Sequence, residues 1–333
     1  MTMAAKLDRT NTGSNQYTHR AGAELPAATS SLLSQTTRPP APKDTCGNIW
    51  GTSCPVLVGP PDWSHGPHPS ARAVNFTVGR LTCPSDVLEC LSHHDDSSVR
   101  RTVAANPGCP PAVLERLSQD RDSTVRRYAA GNPACSLAVL RDLSGDPDPM
   151  TRQSVAKNPS IPLDLLERLS RDRHPHVRGA TAGNATCPQA TLGRLGGDQD
   201  RWPRQMAAIN PSCPLKVLEQ LCRDPDEEVR RRVASNPLCP AALLEQLSRD
   251  PVRWVRRHVA AHPGCPPALQ HTQSQDQDWN VRLSVAAHPA CPPAVLERLL
   301  RDSSTQVSQA AADNSNIPRH LRAMWQLAHS SGT

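Results

Sequence analysis

Cysteine returns along this chain at a fixed interval, at Cys83, Cys109, Cys135, Cys187, Cys213, Cys239, Cys265 and Cys291. Each stands between two turn signals and just ahead of an amphipathic run, as in "NPGCPPAVLERL" from Asn106 to Leu117. A column of thiols suggests two chemistries, metal ligation and disulfide formation. Equivalent atoms of neighbouring helices lie ~8–10 Å apart. A disulfide needs Cα atoms within ~7 Å, and a shared zinc needs sulfurs within about 4 Å. One cysteine per unit therefore builds neither along the column. Ile161 and Ile317 occupy the same slot and can neither coordinate nor bridge. The expected role is a small apolar plug, which free cysteine commonly fills.

A second column is acidic: Asp120, Asp146, Asp172, Asp198, Asp224, Asp250, Asp276 and Asp302. Six residues after each of the first seven stands an arginine, from Arg126 to Arg282. Carboxylate catalysis needs paired groups whose surroundings push their pKa values apart. An array of equivalent carboxylates, each with an arginine, does the opposite, so a structural network of caps and Arg–carboxylate bonds is expected. His94 replaces the acid at one end and Ser308 the arginine at the other, as terminal units of an array allow.

A third set lies near the N-terminus. Cys46, Cys54 and Cys90 fall outside the cysteine column and Cys83 within it, and four thiols could hold an iron–sulfur cluster. Cys83 and Cys90, seven apart, are expected on one side of the first repeat's opening helix. Against a cluster, the chain has no Cys-x2-Cys, and Cys46 and Cys54 sit in Pro-rich, loosely patterned sequence. No nucleophile elbow, phosphate-cradling glycine loop or metalloprotease helix motif occurs. The expectation is a protein that is not an enzyme and has no resident cofactor.

The columns require a repeating scaffold. From Arg80 the sequence repeats every 26 residues without insertion, in the register Asn106, Asn132, Asn158, Asn184, Asn210, Asn236, His262, His288, Asn314. That gives nine full units and a partial tenth. Each unit reads as two short helices. The first is expected to begin at a proline such as Pro110 or Pro240, since proline suits the first helical position. Apolar residues follow at helical spacing, as at Val113, Leu114 and Leu117. The second follows an acidic turn, where an Asp can cap free N–H groups. One position of this helix is Ala in all nine units, from Ala104 to Ala312, which marks a close helix approach. The Asn-Pro pair closing each unit reads as a turn, and His262 and His288 imitate the Asn acceptor through a ring nitrogen.

These units resemble the leucine-rich repeat variant family, on "NPxCPxxxLxxL" followed by "DxDxxVRxxVA", over about three quarters of the chain. The resemblance implies an all-α, right-handed solenoid in which an α-helix alternates with a shorter, tighter helix. The second half-motif also looks like HEAT repeats, whose Asp and Arg columns form a ladder between neighbours. One type of protein in the family carries an N-terminal iron–sulfur module. The resemblance implies no single activity.

Residues 1–79 are Pro- and Ser-rich without apolar periodicity, and read as a largely disordered segment. Residues 80–333 read as the solenoid, with a C-terminal cap from about 314. The 37 basic and 31 acidic residues leave only +6, too mild to claim nucleic acid by charge alone. No run reaches the ~20 apolar residues of a membrane span, and the start lacks a signal peptide's apolar core. A cytoplasmic location follows, in which "NFT" at Asn75 would stay unmodified.

Function should then lie in what does not repeat. One position past the arginine column, Arg101, Arg127, Arg231 and Arg257 are basic, and Trp202, Trp254 and Trp279 stand nearby in the register. These are the candidate partner-binding residues, for a protein partner or for stacked nucleic-acid bases. The expected function is a non-catalytic scaffold for an unidentified protein partner. The alternatives are nucleic-acid binding along the arginine face, or an iron–sulfur sensor built on Cys46, Cys54, Cys83 and Cys90. In the eighth unit Gln270 and Gln273 replace two core leucines, so the array is expected to bend or fray there.

Overall fold

The computed structural model describes residues 83–330; the segment 1–79 lies outside the described residues. Among these there are nineteen helices and no strand. The first unit pairs Ser85–Leu91 with Ser97–Ala105, and the ninth pairs Pro293–Leu299 with Thr305–Asp313. Arg319–Ser330 follows as the start of a tenth. First helices have 7 residues through all nine units, as in Pro111–Leu117, and second helices 8 or 9, as in Glu227–Ala234 and Ser123–Gly131. Both are α-helical; i→i−3 bonds such as His93 N to Cys90 O occur only at their ends. The shorter helix is thus not a tighter one.

The recurring prolines sit one place earlier than expected. Pro84, Pro110 and Pro162 are N-caps with extended ψ of 144°, 143° and 149°, and the helix begins one residue later. Proline's fixed φ suits either position, but only a second proline, as at Pro111, Pro267 and Pro293, enters the helix itself. Ser136, which lacks the ring, caps with its hydroxyl on Val139 N at 3.3 Å.

The core of each unit is thin. Val113, Leu114 and Leu117 from one helix cluster with Val125 and Ala129 from the other, all at most 1 % exposed, while Ala130 joins the cluster of the next unit. Burying each large aliphatic side chain contributes about 2 kcal/mol. No unit encloses these side chains alone, so each relies on its neighbours, as solenoid repeats do.

Polar ladders lock neighbour to neighbour. Arg152 donates Nε and Nη2 to both carboxylate oxygens of Asp172, 2.7 and 2.9 Å away in the next unit. Its Nη1 donates at 2.7 Å to the backbone carbonyl of Asp146, six residues earlier. The partner acid is therefore twenty residues ahead, not six behind. Eight such rungs, from Arg100–Asp120 to Arg282–Asp302, join the nine units. His94 and Ser308 mark the two ends, where no neighbour supplies the other half of a rung.

The two acids of a "DxD" such as Asp120 and Asp122 divide the work, whereas Asp200 makes no cap and instead joins Asp198 on Arg178. Asp120 holds the arginine and accepts from Asp122 N at 2.9 Å, while Asp122 caps the second helix through Thr124 N at 2.8 Å. Burial pushes the Asp120 carboxyl pKa up, but the Arg100 bond, the Asp122 N–H and the Arg100 charge together bring it below the ordinary range.

A second ladder runs through the Asn column. Asn158 Nδ2 donates to Ala130 O and Asn132 O of the preceding unit at 2.8 and 2.9 Å, and its Oδ1 accepts from Ser160 N at 2.9 Å. This explains the Ala column. Its residues are at most 2 % exposed, and carbonyls such as Ala104 O and Ala130 O must come within reach of the next unit's amide. His262 keeps the pattern with one donor fewer: Nε2 donates to Asn236 O at 2.9 Å and Nδ1 accepts from Gly264 N at 3.0 Å. Those partners fix a neutral ring protonated at Nε2.

The last rung has no following Asn. Arg322, at the position where other units carry a core leucine, donates Nε to Ala312 O at 2.9 Å and Nη2 to Asn314 O at 2.6 Å. Those two carbonyls correspond to the pair that Asn158 takes at Ala130 and Asn132, so here a guanidinium stands in for the Asn amide.

The eighth unit differs from expectation. Pro267–Gln273 is a complete helix, and Gln270 and Gln273 are 0 % and 3 % exposed. Gln273 Nε2 donates to Arg256 O at 3.0 Å and Gln270 Nε2 to Cys265 O at 3.1 Å, so amides replace aliphatic packing. Gln270 Oε1 is buried without a hydrogen-bond partner. One buried apolar cluster ends at Leu269 and another begins at Ala260 and Val281, as clusters also break between Ala129 and Ala130 and between Ala180 and Ala182, so the break is not special to this unit.

Candidate functional site

The cysteine column is inside the wall. Cys109, Cys135, Cys187, Cys239, Cys265 and Cys291 are at most 6 % exposed, as are Ile161 and Ile317 in the same slot. Burial pushes the Cys109 and Cys291 thiols up to about 12 and Cys187 up to about 11. At neutral pH these are thiols, poor nucleophiles and poor ligands. Cys222, off the column, fills a helix-end slot that is Ser in units such as Ser118 and Ser170. It is 3 % exposed and is pushed up to about 11 by the same burial.

Of the N-terminal set, Cys46 and Cys54 lie outside the described residues. Cys83 precedes the N-cap Pro84 and Cys90 lies within Ser85–Leu91, so seven-residue spacing does not place them on one helical face. Among the described residues no three His, Cys, Asp or Glu side chains are placed to hold a metal together.

The variable positions gather on the face made by the second helices. Arg101 and Arg127 lie 5.9 and 5.4 Å from the ring centre of Tyr128, and Arg253 and Arg257 lie 4.7 and 5.7 Å from that of Trp254. Such pairs hold guanidinium and ring together by about 0.5–1 kcal/mol each. Tyr128, Trp254 and Trp279 are 39, 40 and 42 % exposed. Arg101, Arg127 and Arg257 have no ion-pair partner among the described residues.

Two of the expected binders are engaged within the array. Arg231 is held by Glu228, with Nε 2.7 Å from Oε2, and donates Nη1 to His258 Nε2 at 3.0 Å. His258 Nδ1 in turn donates to Trp254 O at 2.7 Å. Burial, then the Arg231 and Arg257 charges, depress the His258 pKa against the pull of that carbonyl, so the ring is neutral at pH 7. Trp202 lies over Gly179 of the preceding unit, where an added Cβ would overlap the indole. Glycine in a column that is otherwise Arg, Gln or Leu was the available sign that this tryptophan packs inward.

Hollows open between successive second helices. One of about 460 Å³ includes Arg127, Tyr128, Gly131, Met150, Gln153 and Lys157 in its lining. A second of about 330 Å³ includes Gln153, Lys157, Pro159, Gly183, Trp202 and Met206. A third of about 280 Å³ lies beside Glu227, Glu228, Arg231, Trp254 and His258. Gln153 and Lys157 line both of the first two, so those hollows lie on either side of the helix Pro149–Lys157.

Comparison with known proteins follows the same repeat. The family model described as leucine rich repeat variant matches residues 98–122 and 279–304. Each match covers a second helix and the next unit's first helix. The two end in register and begin within one residue of it, seven periods apart. No curated protein matches the chain. Among solved structures, "a leucine-rich repeat variant with a novel repetitive protein structural motif" is 25 % identical, covers 66 % of this chain and 87 % of its own, and has a TM-score of 0.48. An engineered protein is 16 % identical, covers 77 % of this chain and 94 % of its own, and has a TM-score of 0.34. The columns of the two matched segments recur through every unit between them, so the similarity to leucine-rich repeat variant units extends along the helical solenoid.

Proposed function

We propose that this protein is a non-catalytic scaffold that holds a protein partner on the face formed by its second helices. One observation carries the reading. The repeated Asp, Arg, Asn and Cys side chains are used up between units, whereas unpaired cations, exposed aromatic rings and the hollows share one face. Exposed aromatics beside arginine are the residue types that dominate protein interfaces. Buried thiols such as Cys109, Cys187 and Cys239 suit a reducing, cytoplasmic setting, and no helix among the described residues is long and apolar enough to cross a membrane.

Nucleic acid is the second reading, favoured by the Arg–Tyr128 and Arg–Trp254 pairs, on which bases could stack. Glu227 and Glu228 stand between the two pairs on the same face and oppose a continuous phosphate path. The test compares wild type with Arg127→Ala/Trp254→Ala in binding from a cell extract. A protein retained by wild type at raised salt and lost by the variant supports the scaffold reading. Retention of nucleic acid alone, falling steeply with salt, overturns it.

A further inference from the structure

We infer that the adjoining hollows of units two to five together form a groove for an extended segment of an acidic partner protein, presenting a carboxylate beside a large apolar side chain. The inference rests on the scaffold reading and names where and what that scaffold binds.

The two hollows flank one helix, Pro149–Lys157, whose Gln153 and Lys157 line both, so a segment crossing that helix reaches both. Its cations are Arg127 and Lys157, neither with an ion-pair partner among the described residues, and no Asp or Glu lines it. The rest is largely apolar, including Met150, Pro159 and Met206. A positive edge beside an apolar floor, with no competing acid, fits a carboxylate followed by an aliphatic or aromatic side chain. Continuous polyanions fit less well, because a phosphate chain gains from a cation in every unit. Here the column past the ladder arginine turns to Gln153, Gly179 and Gln205 in units three to five. Units ~9–10 Å apart and ~3.3 Å per extended residue give a segment of about 9 residues across three steps.

The depth of the groove has a sequence cause. Gly131 and Gly183 end their helices at a position that is Ala105, Lys157, Ile209 and Ser235 elsewhere. A Cβ on Gly131 would stand 4.0 Å from Ser154, and one on Gly183 3.6 Å from the Met206 sulfur, both ordinary contacts. Neither glycine has the positive φ that demands glycine. Packing and backbone would admit a side chain at both sites, so what the glycines add is room in the groove.

The test uses the full chain and a displayed library of random peptides about 12 residues long, enough to span the groove. Enriched peptides are then made synthetically and titrated against Gly131→Leu, Gly183→Leu, Lys157→Glu and Trp254→Ala. The expected peptides pair Asp or Glu with Leu, Ile, Phe or Met. They bind each glycine variant and Lys157→Glu at least about tenfold more weakly, a loss of 1.4 kcal/mol. Leucine raises helix propensity at both glycines, so weaker binding with undiminished helix content is not misfolding. Peptides unaffected by either leucine and lost in Trp254→Ala overturn the groove and leave the scaffold reading standing. No enrichment, with tight and salt-steep binding of an oligothymidylate, overturns both. No binding of either probe overturns the groove.

Discussion

Replacing Asn158 separates the Asn ladder from mere shape. Asn158 is 1 % exposed and makes three hydrogen bonds, two to carbonyls of the preceding unit and one from Ser160 N. Asn158→Ala leaves two acceptors and a donor without it. At about 1 kcal/mol net per bond, and more for groups left buried and dry, the cost is about 3–4 kcal/mol. Asn158→His is the protein's own variant, since His262 and His288 fill that place in later units with one donor and one acceptor. It loses one bond and should cost about 1 kcal/mol. The reverse change, His262→Asn, should gain about as much by adding a second donor. Unfolding of a repeat array is local, so the assay is native-state hydrogen exchange of amides flanking each site, supported by urea melts. Equal costs for Asn158→Ala and Asn158→His, or a loss on His262→Asn, would refute the ladder as an energetic element.

Three further outcomes follow from the same geometry. Asp120, Asp172, Asp198 and Asp302 have folded pKa values held below the ordinary range, so their contribution is complete above the unfolded value of ~3.9 and is lost as pH falls through the folded values. Urea midpoints should be level from about pH 7 to 5 and fall below about pH 4; a rise on acidification contradicts this. Iodoacetamide at about pH 8 should leave Cys109, Cys135, Cys187, Cys239 and Cys291 unmodified in the native protein and label them in guanidinium, as read by peptide mapping. Rapid native labelling would show that the plugs are open. Gln270→Leu removes the unpartnered Oε1 and restores the aliphatic column, so it should stabilise the eighth unit by about 1 kcal/mol. In the wild type, amides of Ala268–Gln273 should exchange faster than those of Leu114–Leu117, and equal protection would show that the buried amides fully replace the missing leucines.

The 26-residue period made the helix pairs, the thin core and the structural reading of the columns legible, because each follows from local spacing. Partner choice across units was not legible. Asp120 has Arg126 six residues after it, and sequence distance favours that pair. Packing brings Arg100, twenty residues before, into bidentate reach instead. The sequence set Arg101, Arg127, Arg231 and Arg257 in one column but did not show the contacts each would make. Arg231 pairs with Glu228 on its own helix and reaches His258 in the next unit, and Trp202 turns onto Gly179 in the preceding one, contacts that sequence distance does not show. The groove was missed because its signal is an absence of side chains, at Gly131 and Gly183.

The most direct test of the account is a hydrogen-exchange footprint of the protein with and without a peptide selected on it. The account predicts added protection in the second helices Ser123–Gly131, Pro149–Lys157, Pro175–Gly183 and Arg201–Ile209, with none in first helices such as Leu163–Leu169. Protection centred on first helices or on the cysteine turns would contradict it.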